Sequence, residues 1–337
     1  MKVENKSIII WLFSGCFLIF LMVVVGGLTR LTHSGLSMVE WKITGSFPPT
    51  SETEWNILFE KYKNTPEYKL VNSYFTLDDF KSIFWFEYIH RLIGRLIGVV
   101  FIIPFIFFLI KKKIPKGYLK KLIFLLVLGA LQGLIGWYMV KSGLVKNPAV
   151  SHYRLAFHLI TAFITFGFTF WFALDLIYIN KNKIKHKTLK QYLIVFLGIL
   201  VLQIIYGAFV AGLKAGYIYT TYPKMGNEWI ASIITSQKPV WLNFFEMHAG
   251  VQFVHRYIAL FLLIFSFVIF YKSKKSQISE NLKKSLNLIH ITVVIQFLLG
   301  IFTLIYSVPV LIAILHQTVA FILFSVTLLN LHKIQKS

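Results

Sequence analysis

Cysteine is almost missing from this chain of 337 residues. The single one, Cys16, lies inside an apolar run, which excludes a disulfide framework and thiolate metal sites. Acidic residues are also scarce, 13 against 35 lysines and arginines, for a formal net charge of +22. Only 14% of residues are charged and 57% are hydrophobic, with a mean hydropathy of +0.69, a balance a soluble domain rarely shows. The apolar run at 8–25 is too long for a signal peptide, and VVVGGLTRLTHSG after it has no small-x-small cleavage site. No Arg/Ser-rich transit peptide precedes it. The first segment therefore reads as a retained membrane helix.

Long apolar runs are what the chain has in quantity. Eight of them reach membrane-spanning length, near 8–28, 84–110, 119–140, 152–179, 191–213, 247–271, 286–306 and 310–331. The basic excess maps onto the connections between them. KKKIPKGYLKK (111–121), NKNKIKHKTLK (180–190), KSKKSQISENLKK (272–284) and the two termini together hold 20 of the 35 basic residues. These segments alternate with outer loops, so the charge reports topology through the positive-inside rule, with both termini cytoplasmic. A bacterial inner-membrane protein in a lipid bilayer accounts for that charge, and no nucleic acid is called for. On the outer side, residues 29–82 form a long cap with short helices expected near 52–63 and 76–82, and residues 214–246 form a smaller loop.

The two halves of the chain resemble each other. GGLTRLTHSG (26–35) matches GAFVAGLKAG (207–216), and Gln132 with Gly136 matches Gln296 with Gly300. IHRLIGRL (89–96) matches VHRYIALF (254–261), and AFHLITAF (156–163) matches ILHQTVAF (314–321). Four matches in the same order imply an all-α integral membrane fold of two pseudo-symmetric four-helix bundles. An even number of helices per half keeps the repeats parallel. The halves are residues 1–180, which include the cap, and 181–337.

Four of the ten histidines sit inside these spans at repeat-equivalent places: His90, His158, His255 and His316. Each lies six or seven residues past the outer end of a helix running inward, about 10 Å below the interface at 1.5 Å per residue. Neutral imidazole is the commonest metal ligand, and bundle cores build cofactor sites from facing side chains. With no cysteine and no carboxylate at that depth on the partner helices, tetrahedral zinc is poorly supported. A bis-histidine heme in each half fits better. Gly94, Gly98, Ala156, Ala162, Ala313 and Ala320 would give the macrocycle room. The bland alternative for any one histidine is an interhelical hydrogen bond, and for the set a proton-relay transporter. His33, His152 and His248 fall at the outer boundary, and His186 and His332 in cytoplasmic basic segments, where surface roles are expected. His290 has no repeat partner.

Arg91 and Arg256 directly follow two of the histidines, and Arg154 lies one turn outward of His158. A guanidinium can bind a heme propionate bidentately; snorkelling or bonding to a backbone carbonyl is the competing reading. The halves differ at one turn, where Glu87 precedes His90 and Gln252 precedes His255. An ionisable group in one half alone suggests that the first half performs chemistry and the second holds a resident heme. A salt bridge from Glu87 to Arg91 or Arg95 is the structural alternative. A di-heme electron carrier without chemistry of its own is the competing function, but carriers that cross a membrane place hemes near opposite faces.

The stretches GGLTRLTHSGLSMVEWK, FWFEYIHRLIGRLIG, SHYRLAFHL, QFVHRYIA and LHQTVAF resemble those of the heme A synthase family over essentially the whole chain. The cap, with WKITGSFPP and FEKYKNTPEYKL, is similar to the mitochondrial and proteobacterial class. Another bacterial class carries cysteine pairs in its outer loops, and this sequence has none. The resemblance implies oxidation of a methyl group of heme O to the formyl of heme A, through a hydroxymethyl intermediate, for terminal oxidases. It implies His90 and His158 on the substrate heme, His255 and His316 on a permanent heme b, and Glu87 as the catalytic carboxylate. A bis-histidine iron has no open position. Either one histidine lets go and oxygen is activated, or electrons leave the porphyrin and water attacks the oxidised carbon. The heme b half would exchange electrons with a membrane carrier such as a quinone. The cap would cover the heme edge or dock a heme O synthase, and a homo-oligomer stays open.

Overall fold

The computed structural model describes residues 5–40, 45, 47–143, 148–178 and 184–335. Residues 41–44 and 46 of the cap, including most of the WKITGS stretch, lie outside them, as do 179–183 of the second lysine-rich loop. Eleven α-helices are described: α1 (Lys6–Leu31), α2 (Glu52–Lys63), α3 (Pro66–Leu70), α4 (Leu77–Ile110), α5 (Tyr118–Gly143), α6 (His152–Ile177), α7 (Lys187–Gly212), α8 (Asn243–Glu246), α9 (His248–Lys275), α10 (Glu280–Ile305) and α11 (Val310–Lys333). Eight of these, all but α2, α3 and α8, are long and apolar enough to cross a membrane. They carry large apolar side chains outward, among them Ile103, Val127, Leu134, Ile264 and Phe267, each more than half exposed. Such a surface is stable against lipid and not against water. The protein is an all-α, multi-pass integral membrane protein.

Sequence sets the helix starts. Ser51 accepts a hydrogen bond from the Glu54 backbone N–H and opens α2 at the expected place. Thr65 caps α3, with Pro66 at its first position. Thr76 and Asp79 form a reciprocal capping box at the start of α4. The short helix expected at 76–82 is therefore the first two turns of the second span, because nothing between 82 and 84 breaks the helix. Pro104 lies within α4. Its missing N–H is tolerable in a membrane helix where neighbours satisfy the freed carbonyl.

The chain divides into two compact units, residues 1–154 with 164–173, and 155–163 with 174–337, so the division runs through α6. In the first unit α1 packs along α4, and Trp11 Nε1 donates to the Val100 carbonyl at 2.8 Å. The cap has its own core of Met38, Trp55, Phe59, Tyr62, Phe80, Ile83 and Phe84. Tyr62 stacks on Phe80 with ring centroids 5.1 Å apart, and Trp55 meets Phe84 edge-on at 5.0 Å. The N-terminal turns of α4 are thus the floor of the cap. In the second unit α7 packs on α9 and α11, and α10 packs on the same two helices, which closes a four-helix bundle. The loop before α9 is tied by Asn243, whose Nδ2 donates to the carbonyls of Ile234 and Gln237 at 2.7 and 2.9 Å.

Candidate functional site

The candidate residues come from the N-terminal halves of the even-numbered spans. In α4, Glu87 and Arg91 lie one turn apart on a buried face and are 2% and 7% exposed. They form a buried ion pair between Arg91 Nη2 and Glu87 Oε1. Glu87 Oε2 also accepts from Ser37 Oγ at 2.7 Å and from the Met38 backbone N–H at 2.8 Å. Arg91 continues the network, donating to the carbonyls of Glu40 at 2.7 Å and Met38 at 2.9 Å. Backbone groups of a loop folded onto a membrane helix need partners, and these two side chains supply them.

The second unit repeats the device with the opposite polarity at the first residue. Gln252, also 2% exposed, donates to the carbonyls of Ala215 and Tyr219 at 3.0 and 3.1 Å. Arg256 donates to the carbonyls of Tyr219, Thr221 and Lys224 at 2.7, 2.9 and 3.2 Å, and to Gln252 Oε1 at 3.2 Å. Arg91 and Arg256 therefore have loop carbonyls as their partners. Arg154 donates to the Tyr138 hydroxyl at 3.3 Å, with its guanidinium 4.6 Å from that ring's centroid. Arg95 lies against Gly45, where a Cβ would meet its Cζ at 3.0 Å and where φ is +84°. The positive φ is what favours glycine at that position, since the Arg95 guanidinium end can shift.

The histidines share a different feature. A Cβ on Gly26 of α1 would meet Cε1 of His90 at 3.0 Å. One on Gly207 of α7 would meet Cε1 of His255 at 3.3 Å, and one on Gly300 of α10 would meet Cε1 of His316 at 3.0 Å. Three imidazoles thus rest edge-on against glycines of odd-numbered spans, a close approach that a side chain would block. Of the small residues expected to make room, Gly98 faces open space and Gly94 lies beside the Met22 methyl. His255 and His316 belong to one bundle, and Nδ1 of each is buried with no hydrogen-bond partner. Gln203 Nε2 lies 3.4 Å from His255 Nε2, and Gln296 Nε2 lies 3.3 Å from His316 Nε2. Both carboxamide oxygens are buried without partners. Such orphaned groups are rare in finished interiors, and together with the glycine cradles they suit a bound group that imidazole nitrogens ligate. Among the described residues, no three of His, Cys, Asp and Glu gather as a metal-ion site. The donor set is one of imidazoles alone, which is the set a bis-histidine heme uses.

His158 lies six residues into α6 and is half-buried. His90 lies further into its helix than the other three because α4 starts within the cap. Of the remaining histidines, His332 is a correction. It was expected at a basic surface, but it is 1% exposed, and its Nε2 meets Asp175 Oδ1 at 2.9 Å. The cause is that α11 runs two residues beyond its apolar stretch and carries the ring inside. His152, expected at the boundary, is buried as well. Sequence reasoning passed over Ser37, Gln203 and Met22. Gln203 had a visible signal, since it precedes Gly207 by the same four residues that separate Gln296 from Gly300.

Eight membrane spans, three histidines seated against glycines of neighbouring helices and a folded cap define a polytopic membrane protein. The profile of the family described as cytochrome oxidase assembly protein matches residues 9–328. A heme A synthase of Flavobacterium psychrophilum is 52% identical, covering 99% of this chain and 99% of its own length. That of Flavobacterium johnsoniae is 49% identical over 100% of both chains, and that of Nitrosospira multiformis 44% over 98% and 94%. The chain belongs to the heme A synthase family.

Proposed function

We propose that this protein is a membrane oxidoreductase that converts heme O to heme A, oxidising one porphyrin methyl group to formyl in two steps. In this reading His90 and His158 hold the substrate heme O, and His255 and His316 hold a resident heme b. What supports the assignment is the repeat register of the four histidines, with glycines placed so that three of the rings can approach a neighbouring helix edge-on. The resident heme would supply one-electron redox chemistry, passing electrons from the substrate site to a membrane carrier such as a quinone.

The protein's own groups have three tasks. Imidazole nitrogens ligate iron and orient the porphyrin. The ion pair of Glu87 with Arg91, through Ser37 and residues 38–40, fastens the outer segment beside that site and keeps water from entering freely. Glu87 is also the carboxylate nearest in sequence to the substrate ligand, and its role is to take up the proton released as the methyl carbon is oxidised. Of the three groups that donate to it, the Ser37 hydroxyl is the one able to pass that proton on. Gln252 occupies the equivalent turn of the resident-heme half, where no proton has to be taken up. Arg91 and Arg256 serve chiefly as loop straps, with propionate contacts left to Arg154 and to their remaining donors. The protein sits in the inner membrane of a bacterium with both termini cytoplasmic, and the cap faces outward, where a heme O synthase would deliver substrate.

The test is pigment extraction and mass analysis from a host making heme O, with wild type beside Glu87→Gln. Heme A or its hydroxymethyl precursor in the wild type, with unmodified heme O accumulating in the variant, is the expected result. Heme b alone in both, with heme O available, would overturn it and leave an electron carrier.

A further inference from the structure

Ser266, Asn287 and His290 form a polar patch in the second unit, apart from the four histidines. Ser266 of α9 is fully buried and donates its hydroxyl to the Leu263 carbonyl at 2.7 Å. Its one proton is thereby committed, so its Oγ accepts from His290 Nδ1, 2.9 Å away. The imidazole then carries its proton on Nδ1 and presents a lone pair on Nε2. Phe270 stacks on this ring with centroids 5.6 Å and planes 19° apart, and Phe267 meets it at 5.9 Å. His290 is half-buried, and its Nε2 has no partner among the described residues. Asn287, one turn earlier on α10, is half-buried too, and its carboxamide bonds to no described residue.

Asn287 and His290 lie seven and ten residues past Glu280, about 10 and 15 Å along α10, within the depth of a bilayer's hydrocarbon. Polar groups there are costly unless something pairs with them. The repeat shows that a bundle does not need them. With Gln132 and Gly136 matched to Gln296 and Gly300, the places of Asn287 and His290 in α5 belong to Ile123 and Leu126. With His90 matched to His255, the place of Ser266 in α4 belongs to Phe101. Only the second half carries the patch, and it is the half to which the resident heme is assigned. Ser266 lies eleven residues past His255, about 16 Å along the same helix.

The exposed crest of α10 is apolar, with Leu288, Ile291 and Ile295 each nearly half exposed. A helix of a second copy would meet that crest. The polar groups sit beside it, toward α9 and its two phenylalanines, where the chemistry suits a flat ring with oxygen substituents. We propose that Asn287 and His290 dock the headgroup of a membrane quinone, with Nε2 accepting from the hydroxyl of its reduced form and the Asn287 carboxamide pairing with either form. The inference rests on the electron-carrying role given above to this half. Oxidising a methyl carbon to hydroxymethyl with oxygen from water releases two electrons and two protons, and a quinone that takes up both becomes a quinol. The second oxidation, from hydroxymethyl to formyl, releases the same again, so each substrate heme uses two quinones.

The test uses the full-length protein, purified with its heme into lipid nanodiscs, and a photoactivatable azido-ubiquinone with decylubiquinol as competitor. Label is expected on the peptides of α9 and α10 that contain Phe270 and His290. His290→Leu and Asn287→Ile install the residues found at the matching places of α5, which keeps the fold. Each should weaken labelling about 10-fold, the effect of one hydrogen bond lost in an apolar site. Heme per chain should be unchanged, and reoxidation of the dithionite-reduced heme by decylubiquinone should slow about 10-fold. Labelling and reoxidation as in the wild type for both variants, at wild-type heme content, would overturn the inference and leave the heme assignment standing. A dimer that becomes a monomer in Asn287→Ile, with labelling unchanged, would give the patch to a second copy and overturn it too. Protein without heme whose label still depends on His290 would overturn the heme assignment and keep the docking site.

Discussion

Glu87 and Gln252 occupy equivalent turns and face opposite groups, one accepting from a loop N–H and a serine, the other donating to two loop carbonyls. The surrounding loops are built to match, so neither residue can replace the other at no cost. Arg91 is the larger commitment, because removing it leaves the Glu87 carboxylate buried without its counter-charge and two carbonyls without donors. Arg91→Ala should destabilise the first unit by about 3–5 kcal/mol, seen as an earlier unfolding transition in detergent. Gly207→Val and Gly300→Val should displace His255 and His316 and abolish the heme b spectrum, whereas Gly98→Ala, in open space, should leave it intact. The histidines were legible in the sequence because a repeat marks them. The partners of Arg91 and Arg256 were not, because a backbone carbonyl carries no residue signature and the loops that supply them lie some thirty to fifty positions away in sequence.

At the scale of elements, the cap carries its own titratable device. Glu67 in α3 is 6% exposed, and burial pushes its carboxyl up to about 7, with the charge of Glu87 adding to the effect and a hydrogen bond from Tyr62 opposing it. The Tyr62 hydroxyl lies 3.3 Å from Glu67 Oε2 and accepts from Asn72 Nδ2 at 2.8 Å. The folded cap binds this proton more tightly than an unfolded cap does. Its contribution is therefore complete below the ordinary glutamate value and is lost as pH rises through about 7. The protection factor against hydrogen exchange across residues 52–72, taken relative to the intrinsic base-catalysed rate, should fall between about pH 6 and 8 in the wild type and stay flat over the same range in Glu67→Gln. An unchanged wild-type profile would contradict this. The eight spans were legible because twenty apolar residues in a row permit little else. The extension of α4 into the cap was not, because the capping box at Thr76 and Asp79 reads equally well as the start of a separate short helix. The start of α3 had its signal in Thr65 and Pro66, and was missed because five residues carry no periodicity.

For the whole molecule, the lysine-rich connections predict orientation. Cys16 is buried within α1, so a cysteine introduced elsewhere is a clean reporter. A cysteine at position 57 in α2 should react with a membrane-impermeant maleimide in intact spheroplasts, and one at position 274 only after lysis. The reverse pattern would invert the topology. Eight spans and family membership were available from the sequence together, whereas the division through α6 was not, since contacts and not hydropathy define it. The account stands on the claim that the two histidine pairs do different work. The measurement that tests this most directly is the heme content of four purified variants, His90→Ala, His158→Ala, His255→Ala and His316→Ala, from cells making heme O. The first two should retain heme b and lack heme O and heme A, and the last two should lack heme b. Loss of the same heme from all four, or retention of heme b in the last two, would contradict it.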